Sequence, residues 1–141
     1  MRNIIIFTLS LILTAACQKE TGITLAKKGQ SNYQIQINDT NNGILLDAAN
    51  ALQTAINTSH QVELPIVGQG ESSDQAFIKI QVDPNLPNEA SIQYKTEGSN
   101  LIISGGSPSS ASNAVYELLE RELGYTFLTP DATIYPKETT L

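Results

Sequence analysis

Residues 101–124 read LIISGGSPSSASNAVYELLERELG, and this stretch decides the fold. The apolar residues Leu101–Ile103 are typical of a strand, which the pair Gly105-Gly106 ends. Ser107-Pro108 then offers a capping hydroxyl and a first-turn proline. From Ala111 to Leu119 the apolar residues recur at three- and four-residue steps, which indicates a helix with one apolar face. The stretch therefore predicts a strand, a glycine turn and a helix in succession.

The residues before this stretch show the same two periods. Alternating apolar and polar side chains predict strands with one buried face at Tyr33–Ile37, Ala76–Val82 and Ser91–Lys95. In the second of these strands, Phe77 lies in the opposite phase to the isoleucines. Between the first two strands, an apolar stripe from Leu45 to Ile56 predicts a helix that ends near residues 57–60.

Two short segments complete the pattern. Val62–Val67 is interrupted by Pro65, which cannot donate a backbone hydrogen bond, so we expect an edge strand there. Tyr125–Leu128 predicts a last short strand. The tight link between Lys95 and Leu101 predicts an antiparallel pair. We therefore predict an α/β (α+β) domain of two layers, in which a mostly antiparallel or mixed sheet of about five strands carries two helices on one face.

The length and charge of the chain exclude several classes of protein. Its 141 residues suit one small domain and leave no room for a catalytic barrel of about 250 residues. The formal charge is −6 and no run of Lys or Arg occurs, whereas nucleic-acid surfaces hold phosphates with clustered cations. We therefore expect no nucleic-acid partner.

The N-terminus has the pattern of an export signal. A positively charged start precedes the apolar run Ile4–Leu13, which is shorter than the about 20 residues needed to span a bilayer. Thr14-Ala15-Ala16-Cys17 follows and resembles the end of a bacterial lipoprotein signal. We expect residues 1–17 to be a lipoprotein signal peptide, with palmitate or another acyl chain on Cys17. The acyl chains would anchor the protein to the outer membrane or surface of the bacterial envelope. Because Leu13 lies one position further out than a usual lipobox leucine, a plain signal peptide with an unrelated cysteine is the alternative.

A lipidated Cys17 leaves the mature domain without a thiol for a disulfide, a nucleophile or a metal. Residues 18–32 are rich in Gln, Lys, Thr, Gly and Ser. This composition buries too little apolar surface to offset the entropy of ordering, so it predicts a flexible tether. We place the folded domain at residues 33–136 and a polar tail at residues 137–141.

The sequence offers few groups for catalysis. His60 is the only histidine, and its position near the end of the first helix indicates a helix-terminal role. Zinc sites need three or four ligands, so we expect no metal and no cofactor. Glu117, Glu120 and Glu122 surround Arg121 on the second helix, where a solvated charged face is expected. We assign no catalytic residue.

The glycine turn before the second helix has two interpretations. A strand, a glycine turn and a helix N-terminus can together bind an anion through free backbone amides. This turn lacks the Lys-Ser/Thr pair of a P-loop and the third glycine of a dinucleotide fingerprint. We therefore interpret it first as a capping turn and second as a ligand or interface contact. The residues of that contact would be Gly105, Gly106, Ser107 and Ser109.

Several of these segments together resemble a known family. Residues 101–106, Ala114-Val-Tyr-Glu-Leu-Leu119 and Leu123-Gly124 resemble the non-catalytic N-terminal α/β domain of β-N-acetylhexosaminidases and α-glucuronidases. Leu64-Pro65-Ile66 is similar to the Leu-Pro-Ile strand of that family. The resemblance covers nearly all of the chain after the predicted tether. One departure is the Ser107-Pro108 turn, where many relatives have an Arg-Gly pair.

The resemblance implies a role with carbohydrates and no chemistry in this chain itself. In that family the acid and base that cleave the sugar belong to a barrel that follows this domain. Three hypotheses remain: an accessory domain detached from a hydrolase barrel, a stand-alone surface module that binds a glycan or a protein, and an enzyme in its own right. The sequence has no converging acid and base, which weighs against the enzyme.

Overall fold

The structure is a computed structural model that describes residues 23–27, 29–71, 74–129 and 132–134. Seven strands and two helices occur in this described part of the chain. They are, in chain order, β1 (Tyr33–Ile37), α1 (Gly43–His60), β2 (Ile66–Gly68), β3 (Ala76–Val82), β4 (Ile92–Glu97), β5 (Asn100–Gly105), α2 (Pro108–Leu123), β6 (Thr126–Thr129) and β7 (Ala132–Ile134).

Strands β1 to β5 form one mixed sheet in the order β2-β1-β3-β5-β4. β1 pairs in parallel with β2 and with β3, and β3 pairs in parallel with β5. β4 and β5 pair antiparallel, with Lys95 opposite Ile102. The predicted five-stranded mixed sheet and the antiparallel hairpin are confirmed. β2 is an edge strand, as the adjacent Pro65 predicts.

Helix α1 is capped at both ends. The Asn42 side chain accepts hydrogen bonds from the backbone N–H groups of Ile44 and Leu45 at 3.1 and 3.3 Å. At the other end Gln61 adopts a left-handed conformation with φ of 55°, and its N–H donates to the Asn57 carbonyl. The predicted apolar stripe is buried along the whole helix. Its members are Leu45, Ala48, Ala49, Leu52, Ala55 and Ile56.

Helix α2 begins after Ser107 and ends before Gly124, which has a φ of 64° that glycine tolerates. Its buried apolar residues are Ala111, Ala114, Val115, Leu119 and Leu123. Leu118, which the spacing places on the apolar stripe, is only half-buried. The buried stripe advances mainly in four-residue steps through Ala111, Val115 and Leu119, so Leu118 lies at its flank.

The core lies between the helices and one face of the sheet. Ile37, Ile80 and Ile103 stand in register on β1, β3 and β5 and are fully buried in one apolar cluster with the two helical stripes. The two helices contact each other as well as the sheet. Both helices therefore cover the same face, which confirms the predicted two-layer arrangement.

Residues 23–27 and 29–32 are the described part of the predicted tether, and part of this stretch packs against the domain. Leu25 and Ala26 are 6% and 2% exposed and belong to the core cluster. The Ser31 hydroxyl donates to the Leu25 carbonyl at 2.5 Å and accepts from the Tyr33 N–H at 3.1 Å. Two apolar side chains in a polar segment are enough to fix this stretch to the domain, which therefore begins before Tyr33.

The predicted last strand is present as β6, and it pairs antiparallel with β7 in a second small sheet. Tyr125, just before β6, is buried. Its hydroxyl donates to the Ala55 carbonyl at 2.8 Å and lies 3.1 Å from the Ser59 hydroxyl. Tyr125 therefore connects the chain entering β6 to the last turns of α1.

The described helices include none that is long and apolar enough to cross a membrane. The predicted signal peptide at residues 1–17, with Cys17, lies outside the described residues, and so does the predicted tail at residues 137–141. The assignments of these segments stay predictions.

Candidate functional site

The turn between β5 and α2 is closely packed by the rest of the domain. A Cβ atom on Gly105 would lie 2.0 Å from the backbone nitrogen of Ala111, and a Cβ atom on Gly106 would lie 2.0 Å from the Asn88 carbonyl oxygen. Both contacts are with backbone atoms that cannot move aside cheaply. The two glycines are therefore required by the close approach of the helix and of the loop between β3 and β4.

The polar groups of this turn bond to one another and to that loop. The Ser107 N–H donates to the Ser110 hydroxyl at 2.9 Å, and the Ser110 N–H donates to the Ser107 hydroxyl at 3.2 Å. The Ser107 hydroxyl donates to the Glu89 carbonyl, and the Gly106 N–H donates to the Ser91 carbonyl. This is a capping box, as the first interpretation of the turn predicts. The capping box occupies two of the amides that an anion would use, and the bond to Ser91 occupies the Gly106 amide. Ser109 is exposed, and a ligand contact at this turn stays a prediction.

The acidic residues of α2 lie on its exposed side. Arg121 forms ion pairs with Glu117 at 3.4 Å and with Glu122 at 3.3 Å. The side chains of Glu117 and Glu122 are 44% and 50% exposed, and Glu120 is exposed as well. Carboxylates that are solvated and paired in this way have the arrangement predicted for a charged helix face.

Tyr94 on β4 connects this charged group to the sheet. Its hydroxyl donates to the Ala114 carbonyl at 2.7 Å, and the Arg121 guanidinium lies 5.7 Å from the centre of its ring. Burial, together with the negative charge of Glu117, raises the pKa of Tyr94 to about 12. The phenol therefore remains protonated at neutral pH and acts as a hydrogen-bond donor between sheet and helix.

His60 is the last residue of α1, as predicted, but it is buried at 9% exposure. Neither of its ring nitrogens has a hydrogen-bond partner. Among the described residues no group of three or more His, Cys, Asp or Glu side chains is arranged to hold a metal ion. A catalytic relay needs a nucleophile and a carboxylate beside the imidazole, and a zinc site needs three or four ligands. The described surroundings of His60 supply neither set.

A shallow groove of about 740 Å³ lies where residues 24–27 and 29–33 pass Val62. Its described lining consists of these two stretches and Val62, and Lys27 is the charged side chain among them. Hydrolysis of a glycosidic bond needs two opposed carboxyl groups. The described lining of the groove supplies none.

The face of the sheet opposite the helices is a second candidate surface, which we call the helix-free face. Its residues alternate with the core residues along β1, β3, β4 and β5. It is formed by Gln34, Gln36, Phe77, Lys79, Gln81, Gln93, Lys95, Glu97, Ile102 and Ser104. Ile102 is buried at 9% exposure but lies outside the core cluster, as expected for this face. The opposite phase of Phe77 in the sequence is the signal that identifies it.

The strand register arranges the helix-free face in rows. Lys79, Ile102 and Lys95 lie side by side on β3, β5 and β4. The Lys79 ammonium lies 5.8 Å from the centre of the Phe77 ring, within the range of a cation–π contact. Lys95 forms an ion pair with Glu97, and this hydrogen bond and charge hold the pKa of Glu97 below its usual value. The face therefore combines an aromatic ring, amides and two ammonium groups.

No protein-family model matches the sequence, and no curated protein matches it either. The fold is similar to part of a solved structure described as a GH138 enzyme targeting pectin rhamnogalacturonan II. The two share a TM-score of 0.50 and 13% sequence identity over 73% of this chain. The aligned part is 11% of that enzyme, so this chain spans about a ninth of its length. At this level of identity the comparison concerns the fold alone, and the fold of this chain is similar to one part of a glycoside hydrolase.

Proposed function

We propose that this chain is an exported accessory domain that serves a glycoside hydrolase and does not itself cleave sugars. The observation that carries the proposal is the likeness of its fold to one part of a glycoside hydrolase. That enzyme targets a pectic polysaccharide, so a carbohydrate is the class of molecule we propose for this chain as well. The aligned part is a small share of the enzyme, which is consistent with a subsidiary role.

The position of the acidic side chains supports a non-catalytic role. A glycosidase needs an acid that stays protonated near neutral pH and a second carboxylate across the sugar ring. Glu117 is paired with Arg121, and Glu120 projects from the same helix into solvent. Neither side chain lies in an enclosed apolar site.

Lipid anchoring through Cys17 is part of the proposal. It supports a location in the bacterial envelope, at the outer membrane or the cell surface, where polymeric glycans are met. The partners would then be the membrane, through the acyl chains, and a hydrolase barrel or a glycan, through the folded domain. The coding sequence directly downstream of Leu141 separates the two versions of this role. A barrel encoded there would support an accessory domain, and an unrelated gene would favour a stand-alone module.

Turnover measurements test the absence of catalysis. The purified full chain should release no chromophore from aryl N-acetylglucosaminides or aryl glucuronides above the rate in buffer, because no pair of opposed carboxyls is built into the described domain. The Glu117→Gln/Glu120→Gln double variant is the matched control. Turnover by the native chain that disappears in a folded double variant would contradict the proposal and make these carboxylates the site.

A stand-alone glycan-binding module is the second candidate function. The helix-free face favours it, since Phe77 offers a half-buried ring on which a sugar can stack and the exposed Gln93 offers an amide for hydroxyl groups. A binding module needs this surface to recognise a carbohydrate, whereas an accessory domain can serve a hydrolase without binding the glycan itself.

A further inference from the structure

Two of the four cationic side chains among the described residues lie on the helix-free face. The chain as a whole carries a formal charge of −6. The Lys and Arg side chains among the described residues are Lys27, Lys79, Lys95 and Arg121. Arg121 is paired with two glutamates on the other side of the sheet. The helix-free face therefore carries Lys79 and Lys95 against the one carboxylate of Glu97, which leaves it with a small net positive charge on an otherwise acidic molecule.

The spacing of the two lysines is set by the sheet. One strand, β5, lies between β3 and β4, so the Cα atoms of Lys79 and Lys95 are about 10 Å apart. Ile102 lies between them and is buried at 9% exposure, so the floor of the row is apolar. The Lys95 side chain is 58% exposed. The two lysines thus lie on either side of a buried apolar residue, about two strand spacings apart.

Neutral polar groups surround the two lysines. The Gln81 amide donates to the Ser104 hydroxyl at 3.2 Å in the next row of the sheet. Phe77 lies two residues before Lys79 on the same face of β3 and is half-buried. Amides and hydroxyls can exchange hydrogen bonds with sugar hydroxyls, and an aromatic ring can cover the C–H face of a sugar.

We propose that the helix-free face binds an acidic oligosaccharide, with uronate carboxylates at Lys79 and Lys95 and a sugar ring against Phe77. This inference rests on the proposed function for the choice of a carbohydrate and goes beyond it in naming the charge of the ligand and the surface. Glu97 opposes such a ligand, because its carboxylate is paired with Lys95. A bound uronate would compete with Glu97 for that ammonium group.

The composition of the face favours a glycan over other polyanions. Membrane-binding surfaces collect about four to eight basic residues, and nucleic-acid surfaces use comparable clusters. Two lysines among glutamines supply too little charge for either. They suit a ligand that carries one carboxylate per sugar unit and many hydroxyl groups.

Calorimetric titration with a short oligogalacturonide tests the proposal, using the full chain purified in detergent. The fully methyl-esterified oligosaccharide is the matched ligand, because it has the same sugars without the negative charges. We expect the acid form to bind, the ester to bind at least tenfold more weakly, and the affinity of the acid form to fall with added NaCl. Equal binding of both forms, or binding of neither, would overturn the proposal.

Variants locate the site. Lys79→Gln and Lys95→Gln should each raise the Kd by about two- to fivefold, the range expected for an exposed ion pair. Glu97→Gln should lower the Kd, because it frees Lys95. Arg121→Gln makes the same change in net charge on the other side of the sheet and should leave the Kd within about twofold. An equal effect of Arg121→Gln and Lys79→Gln would overturn the proposed location.

Two further outcomes distinguish a failure of the acidic-glycan proposal from a failure of the proposed accessory function. Glycerol 3-phosphate is the probe for a lipid headgroup or a general anion, and binding of it as tight as that of the oligogalacturonide would overturn the acidic-glycan proposal. If no glycan binds and the chain still shows no turnover, this inference fails while the accessory role stands. Turnover by the chain would instead overturn the accessory role, whatever the titration gives.

Discussion

At the scale of single residues, His60 carries an unusual cost. The ring is buried at the end of α1, and both of its nitrogens lack hydrogen-bond partners. A buried polar group left in this state costs about 1–3 kcal/mol relative to one that is satisfied. The sequence places this histidine at a helix end, which the structure confirms, but nothing near it in the sequence indicates that the surrounding chain covers it.

We predict that His60→Leu leaves the free energy of unfolding unchanged or raises it, by up to about 1–3 kcal/mol, since an apolar side chain has no bonds to lose. His60→Asn keeps polar atoms at the same position and should not raise it. Urea denaturation of the three proteins gives the comparison. A loss of more than about 1 kcal/mol in His60→Leu would mean that the ring makes a polar contact we have not identified.

At the scale of elements, leucines in the middle of the two helices differ in how deeply they are buried. Leu52 lies in the middle of the α1 stripe at 1% exposure. Leu118 is half-buried at the flank of α2, while its neighbour Leu119 is 1% exposed. The burial of a leucine determines how far its substitution by alanine lowers the free energy of unfolding. A buried leucine loses its transfer free energy and also leaves a cavity, which adds to the loss.

We expect Leu52→Ala to lower the free energy of unfolding by about 2–5 kcal/mol and Leu118→Ala to lower it by roughly 1 kcal/mol or less. Leu119→Ala serves as the buried control on α2 and should resemble Leu52→Ala. Denaturant midpoints at a constant slope measure all three. A Leu118 variant as unstable as the Leu119 variant would show that the helix is rotated from the position described here.

Helices and strands followed from the sequence because their periods are local. Leu45 to Ile56 and the alternating residues of β3 each reveal one buried face without reference to the rest of the chain. The partners of the strands do not follow in this way. Nothing in Tyr33–Ile37 states that it lies between β2 and β3 in parallel. The phase of Phe77 indicates a second face of β3, but the rows of the helix-free face do not follow from the sequence, since Lys79 and Lys95 become neighbours only through the pairing of β3 and β4 with β5.

At the scale of the whole molecule, export and anchoring depend on Cys17. If Cys17 is lipidated, the chain should sediment with membranes, because several acyl chains bind a bilayer far more tightly than one. We expect Cys17→Ser to move the protein to the soluble fraction or to leave the signal peptide uncut. Fractionation of cells that express either form, with a soluble periplasmic protein followed in the same fractions, gives the result. Equal membrane association of both forms, with cleavage at another bond, would contradict lipidation.

The position of β1 within the sheet has a consequence for how the molecule assembles. Ile35 on this first strand pairs with Ile66 on β2 and with Ile78 on β3, both far along the chain. A nascent or translocating polypeptide presents β1 before either partner exists, whereas β4 and β5 can close as a hairpin on their own. Both edges of β1 are open to pairing with another chain until β2 emerges, and one edge stays open until β3 emerges. The early segment is thus the one that a chaperone would most need to shield.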